Sequence, residues 1–221
     1  VLTYSTRSMA DFRGKILEEG FDGMLLRVQS TLGAVNTEVF VPLVGRFNVS
    51  NLLLIYGAAV ALGEDAMEVL RILSGLQPVN GRFETIRSPK GWTAVIDYAH
   101  TPSSLESILT AVNTYAKGKI ICAWGVGGDR DATKRPIMGE ISGRLADFTV
   151  LMSDQVRTED PLSILKEIEV GIIPTGKPYK IVVDRTEAIK EAILQISDWH
   201  YGIEFDNYWN AYSPDLCIKR V

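Results

Sequence analysis

Between Trp124 and Pro136 the chain reads Trp-Gly-Val-Gly-Gly-Asp-Arg-Asp-Ala-Thr-Lys-Arg-Pro, directly after an apolar run, Lys119 to Ala123, and directly before a helical pattern. Three glycines let a backbone approach a ligand closely, and the guanidinium groups of Arg130 and Arg135 are each able to fork onto a carboxylate. The chemistry this predicts is recognition of an acidic substrate at a strand-to-helix loop. The segment lacks the glycine spacing of a dinucleotide fingerprint, and no Gly-Lys-Ser/Thr follows it to cradle phosphates. A plainer reading stays open, in which Gly127 and Gly128 make a tight turn and Asp129 caps the following helix.

Two other segments have the same placement: Asp97-Tyr98-Ala99-His100-Thr101-Pro102 and Asp154-Gln155-Val156-Arg157-Thr158-Glu159-Asp160-Pro161 each lie where an apolar strand hands over to a helix. Earlier, Asn48 and Asn51 stand three apart at a helix start, so their amides share a face and offer donors and acceptors suited to a purine edge. The plainer role for Asn48 is helix capping. For Arg157 the plainer role is a surface ion pair with Glu159 or Asp160.

The elements that must position these residues follow from hydrophobic period. The turn-rich stretch Gln77-Pro78-Val79-Asn80-Gly81 marks a domain boundary. Before it, Gly23 to Gln29 and Glu38 to Val44 read as paired strands, and Asn48 to Leu62 and Asp65 to Leu76 as helices. After it, Trp92 to Asp97, Lys119 to Trp124, Phe148 to Ser153 and Tyr179 to Val183 are short apolar strands. The segments Pro102 to Tyr115, Arg135 to Leu145, Pro161 to Ile172 and Thr186 to Ile196 are helical by period. Alternation of this kind predicts an α/β fold with βαβ crossovers and a mainly parallel sheet. Ligands bind beyond the carboxyl ends of such strands, which predicts Asp97, Gly127 to Arg130 and Asp154 to Arg157 on one rim.

With 221 residues the chain is long enough for one large or two small domains. Its formal net charge of −4 supplies no electrostatic argument for nucleic acid. The longest apolar stretch, Leu52 to Leu62, is too short to span a bilayer and reads as a buried helix, so no membrane insertion is expected. Two cysteines, Cys122 and Cys217, make no disulfide framework and predict free thiols in a reducing compartment. The chain opens on Val1 without a charged-then-apolar leader, and the expected location is cytoplasmic.

Together with Gly45-Arg46-Phe47-Asn48-Val49-Ser50-Asn51 and Gly81-Arg82-Phe83-Glu84, these segments closely resemble the Mur ligases. These are the ATP-dependent enzymes that add amino acids to the UDP-linked peptidoglycan precursor. The likeness runs from about Ser5 to Asp198 and is greatest to the branch that adds the third residue, meso-diaminopimelate or lysine, to UDP-MurNAc-L-Ala-D-Glu. The resemblance implies the end of the central ATP-binding domain over residues 1–80, a Rossmann-like C-terminal amino-acid-binding domain over 81–198, and a divergent tail over 199–221. It implies that Asn48 and Asn51 contact adenine, that Arg82 reaches the nucleotide, that Asp97 holds the ribose hydroxyls and that His100 lies near the phosphates. In members that add diaminopimelate, the arginine of an Asp-Asn-Pro-Arg motif and the arginine of the Gly-Gly-Asp-Arg-Asp loop grip the distal carboxylate. Asp154, Gln155 and Arg157 stand in the first motif here, and Arg130 in the second.

Two guanidinium forks suit the carboxylate of diaminopimelate and would repel the bare ammonium of lysine. The chain departs from the motif at Gln155 and Val156, where Asn and Pro are expected, which loses the rigid turn. The implied chemistry is an acyl phosphate formed from the D-glutamate carboxylate and ATP, with Mg²⁺ neutralising charge, followed by amine attack. No Gly-Lys-Thr P-loop is present, so this chain alone is expected to be inactive and is read as a fragment. The family's Gly-Lys-Gly-His-Glu end is replaced by Trp199-His200-Tyr201-Gly202-Ile203-Glu204-Phe205-Asp206-Asn207-Tyr208-Trp209, which is a shifted-frame read-through, a divergent replacement or an interaction segment. Two alternatives remain beside the diaminopimelate ligase: a lysine-adding ligase and a noncatalytic binding protein on the same scaffold.

Overall fold

The computed structural model describes residues 1–198, with side chains through residue 195. The chain divides into two compact units, Val1–Tyr98 and Ala99–Val221.

The first unit is a sheet covered by two helices. Strands β1 (Tyr4–Ser5), β2 (Phe12–Gly20), β3 (Gly23–Ser30) and β4 (Val35–Val41) lie side by side in chain order. The β2–β3 and β3–β4 pairs are antiparallel. Alternation decides which face is covered: Met24, Leu26 and Val28 of β3 are buried while Arg27 between them is exposed. Helix α1 (Arg46–Ala61) lays Val49, Leu52, Leu53 and Tyr56 into that core, where the Tyr56 ring meets Phe12 edge-on at 5.6 Å. Helix α2 (Ala66–Ser74) starts at Asp65, whose carboxylate accepts from the Glu68 amide at 2.8 Å, and buries Val69, Leu70 and Leu73. The stretch Leu52 to Leu62 is helical as expected but is not buried all round. Leu54 and Ile55 are each 53% exposed because a single sheet face receives this helix. Strand β2 was not expected from sequence, since Arg13, Lys15, Glu18 and Glu19 hide its period behind charge.

Within the same unit, β5 (Glu84–Arg87) and β6 (Thr93–Ile96) form a separate two-stranded antiparallel sheet. The expectation that the strand at Trp92 to Asp97 joins the parallel sheet is therefore corrected: its ladder partner is β5, which follows the Gly81-Arg82-Phe83 turn.

The second unit carries the parallel sheet. Strands β7 (Ile121–Trp124), β8 (Phe148–Leu151) and β9 (Tyr179–Ile181) pair in the order 7-8-9, all parallel. Helices α3 (Pro102–Tyr115), α4 (Lys134–Leu145), α5 (Pro161–Ile172) and α6 (Arg185–Asp198) alternate with them. This is the mainly parallel, Rossmann-like architecture that the βαβ alternation predicts. The core gathers Trp124, Met138, Leu151, Ile164, Leu165 and Ile168. Helices α4 and α5 approach through glycine: a Cβ at Gly139 would overlap the Ile168 carbonyl, and one at Gly171 the Pro136 carbonyl. Among the described residues no helix is long and apolar enough to cross a membrane. The tail at 199–221, including Cys217, lies outside the described residues.

Candidate substrate-binding site

Parallel strands end together, so the loops that follow β7 and β8 are neighbours. The first runs from Gly125 to Thr133 and the second from Met152 to Asp160. The Met152 amide donates to the Trp124 carbonyl at 2.9 Å, and the Gly128 amide to the Gln155 carbonyl at 2.9 Å. No side chain fits between them: a Cβ at Gly125 would overlap the Met152 carbonyl, and one at Gly128 the Val156 carbonyl. The glycines of this segment are thus used first to seat one loop against the other.

Charged groups complete the joint. Asp129 adopts a left-handed backbone (φ 52°), and its carboxylate accepts from the Thr158 hydroxyl at 2.7 Å and the Thr158 amide at 3.3 Å. Its own amide donates to Glu159 Oε1, which also accepts from Arg135 at 2.8 Å. The other end of the Arg135 fork reaches Glu167 Oε2 at 2.9 Å. The Arg135 hydrogen bond comes first, and the Asp129 amide second, in holding the Glu159 carboxyl below its usual range. Glu159 likewise leads in raising the guanidinium of Arg135, which stays charged although the side chain is only 1% exposed.

Two expectations are corrected here. Arg135 was expected to be available to an anion, but it is consumed internally by two carboxylates. Asp129 does not cap α4; the residue before that helix is Thr133, which makes no side-chain cap. Asp131 accepts from the Thr133 hydroxyl at 2.6 Å and amide at 2.9 Å, and these bonds hold its carboxyl below the usual carboxylate range.

Arg130 and Arg157 flank this joint, one after Asp129 and the other before Thr158. Both are exposed, and neither has an ion-pair or hydrogen-bond partner among the described residues. Arg157 is left-handed (φ 53°). The surface pair weighed for it is not made: Glu159 is engaged by Arg135, and Asp160 caps α5 by accepting from the Ser163 amide at 2.8 Å. Asp154 pairs with Arg185 at the start of α6 at 2.7 Å, a partner that sequence reading missed. The one signal for it was an arginine opening the helix after the next strand. Gln155 contributes its carbonyl to Gly128, and its side chain is exposed. His100 lies in this unit, with its carbonyl accepting from Lys134 Nζ at 3.0 Å, so the loop before α3 sits beside the start of α4.

In the first unit, Asn48 is not the cap of α1; that position is Gly45. The Asn48 amide nitrogen donates to the Val44 carbonyl at 2.7 Å, and its oxygen accepts from Asn51 at 3.4 Å, so the two asparagines do share a face. Asn51 is exposed beyond them. The turn at Gly81 to Phe83 is held from both sides: Glu84 accepts from the Gly81 amide at 3.0 Å, and Asp97 Oδ2 from the Phe83 amide at 2.8 Å. Arg82 is thereby presented on the surface with its guanidinium 4.9 Å from the centre of the Tyr98 ring. Asp97 and Arg82 are brought together by the β5–β6 ladder, whose register sets Glu84 opposite Ile96.

Residues 81–199 match the family described as Mur ligase, glutamate ligase domain. The chain belongs to the Mur ligase family. It is 46% identical over 197 residues to a UDP-N-acetylmuramoyl-L-alanyl-D-glutamate--2,6-diaminopimelate ligase of Phocaeicola vulgatus, and 40% identical over 194 residues to a ligase of the same name from Clostridioides difficile. Those alignments cover 88% and 86% of this chain but 40% and 39% of the two ligases, so the chain spans about two fifths of their length. A solved diaminopimelate ligase superposes with a TM-score of 0.60 at 34% identity, over 88% of this chain and 39% of the other. The Mur ligase fold extends to more distant members. The alanine ligase MurC of Thermotoga maritima superposes with a TM-score of 0.68 at 20% identity, over 86% and 41% of the two chains.

Proposed function

We propose that the complete protein is an ATP-dependent, cytoplasmic ligase that adds meso-diaminopimelate to UDP-MurNAc-L-Ala-D-Glu in peptidoglycan synthesis. This chain then supplies the end of the ATP-binding domain (1–80) and the amino-acid-binding domain (81–198), followed by the tail at 199–221. The observation that carries the reading is the pair of exposed, unpartnered guanidinium groups of Arg130 and Arg157 on two loops bonded to each other. Nearby, Arg135 is met by Glu159 and Glu167 and Arg185 by Asp154, whereas these two cations are left for an anion. A carboxylate satisfies both forks, whereas an ammonium at that position meets like charge. Diaminopimelate therefore fits better than lysine.

The nucleotide-facing residues are Asn48, Asn51, Arg82, Asp97 and His100, and the chain's fit to ATP is in its base and ribose. Asn51 presents an exposed amide, and the second oxygen of Asp97 is not used in holding the Phe83 turn. ATP, when bound, activates the D-glutamate carboxylate. Among the described residues there is no His, Cys, Asp and Glu cluster able to hold a metal, so Mg²⁺ is assigned no ligand here. Asp154 and Gln155 shape the second loop beside Arg157.

The test uses a full-length ligase carrying this chain in place of its own corresponding portion. Arg157→Ala should raise the KM for diaminopimelate about tenfold to a hundredfold, the loss of a charged hydrogen-bonding fork, with little change for ATP. Competition against lysine decides the matter: an equal loss for both amino acids removes Arg157 from substrate recognition.

A further inference from the structure

Two free cations that grip one carboxylate repel each other when the site is empty, and each of these sits on an exposed loop at or beside a left-handed residue, Arg157 itself and Asp129 before Arg130. Something must hold the loops at fixed separation. Four bonds cross between them, all made by residues within two positions of the two arginines: Gly128 N to the Gln155 carbonyl, Asp129 N to Glu159, and the Thr158 amide and hydroxyl to the Asp129 carboxylate. The crossing is anchored below by Arg135, which is buried and reaches Glu159 and Glu167 at once.

We propose that Asp129, Thr158, Glu159 and Arg135 form a latch that sets the spacing of Arg130 and Arg157, making these four the positioning residues of the distal-carboxylate pocket. The latch touches no substrate; it acts through the two arginines, and this rests on the reading of Arg130 and Arg157 given above. The charge arrangement explains its composition. The Asp129 carboxylate, next to Arg130 in the chain and bonded to the residue after Arg157, brings negative charge to the crossing near both cations. Thr158 supplies a hydroxyl as well as an amide to Asp129, so one residue fixes the second loop by two bonds.

The first test uses the 221-residue chain. Thr158→Val removes one hydrogen bond to a carboxylate and should speed amide exchange at Gly128 and Asp129 about tenfold, while Thr158→Ser restores protection. Unchanged exchange in Thr158→Val overturns the latch regardless of any kinetics. The second test uses the full-length ligase described above. Thr158→Val should raise the KM for diaminopimelate about fivefold to tenfold with the KM for ATP unchanged, and Thr158→Ser should behave like the parent. In an Arg157→Ala background the same substitution should have no further effect, because with one arginine gone there is no longer a pair whose spacing the latch can set. A multiplicative effect in that background, or an equal rise in both KM values, overturns the inference. If instead Arg157→Ala alone leaves diaminopimelate unaffected while the exchange result holds, the latch stands and the substrate assignment falls.

Discussion

Gly128→Ala should separate the two loops that carry Arg130 and Arg157, and the size of the effect follows from what the added methyl meets. It would overlap the Val156 carbonyl and touch Glu159 Cβ at 3.3 Å. A backbone carbonyl has no rotamer to escape into, so the loops must part; forced overpacking of this kind costs about 1 to 3 kcal/mol. Parting them also strains the Gly128–Gln155 hydrogen bond, 2.9 Å in length, for which a net contribution of about 1 kcal/mol is typical. The expected loss is about 2 to 4 kcal/mol, large against the roughly 5 to 15 kcal/mol that holds an ordinary domain. Native-state hydrogen exchange of the β7 and β8 amides under increasing urea reads this unit without the other. Gly118→Ala is the control: nothing lies within 4 Å of the added methyl and the backbone is not left-handed, so the change should stay within about 0.5 kcal/mol. In the full-length ligase, displacement of a binding group by about an ångström costs on the order of a hundredfold in rate, so turnover should fall far more than stability alone implies. A Gly128→Ala variant as stable as the Gly118→Ala control would refute the close backing of the two loops.

Acid should loosen the same joint from another direction. The Glu159 carboxyl is held below its usual 4.5 by Arg135 and the Asp129 amide, so its contribution is complete above pH 4.5 and is lost as pH falls through the lower, folded value. An NMR titration of the Asp129 amide should show its transition below pH 4.5; a midpoint above that value contradicts the arrangement. Cys122 is buried and its thiol is pushed up to about 12 by desolvation alone, so alkylation at pH 8 should leave it unmodified in the native chain and label it after unfolding. Peptide mass mapping distinguishes it from Cys217, and rapid native labelling of Cys122 would mean that β7 opens.

How much of this was written in the sequence depends on the range of the interaction. The helices Pro102–Tyr115 and Pro161–Ile172 were legible to the residue, because proline at the first turn and a Thr or Asp cap before it are local signals. The parallel pairing of β7, β8 and β9, though not their order, followed from alternation of strands with helices of crossover length. Strand β2 escaped because its exposed face is charged and its period is masked. The partner of β6 escaped because a short apolar run carries no information about which neighbour will complete its ladder.

At the site, residue type and spacing were enough to single out the glycine-rich loop, the Asp97 and Asp154 to Arg157 segments and the Asn48–Asn51 pair, while Arg82 came from the resemblance to the Mur ligases. They could not say which charges are spent and which are free. Arg130 and Arg135 are five residues apart in one loop-to-helix segment and are chemically identical, yet burial against Glu159 and Glu167 consumes Arg135 while Arg130 remains exposed. Asp129 looked like a helix cap and is a clamp on Thr158; Asp154 was named with the substrate loop and is paired with Arg185. Chemical capacity is a property of the residue and is legible in one dimension. Availability depends on partners 24 to 32 residues away along the chain, and only the folding of the parallel unit brings those partners within hydrogen-bonding reach.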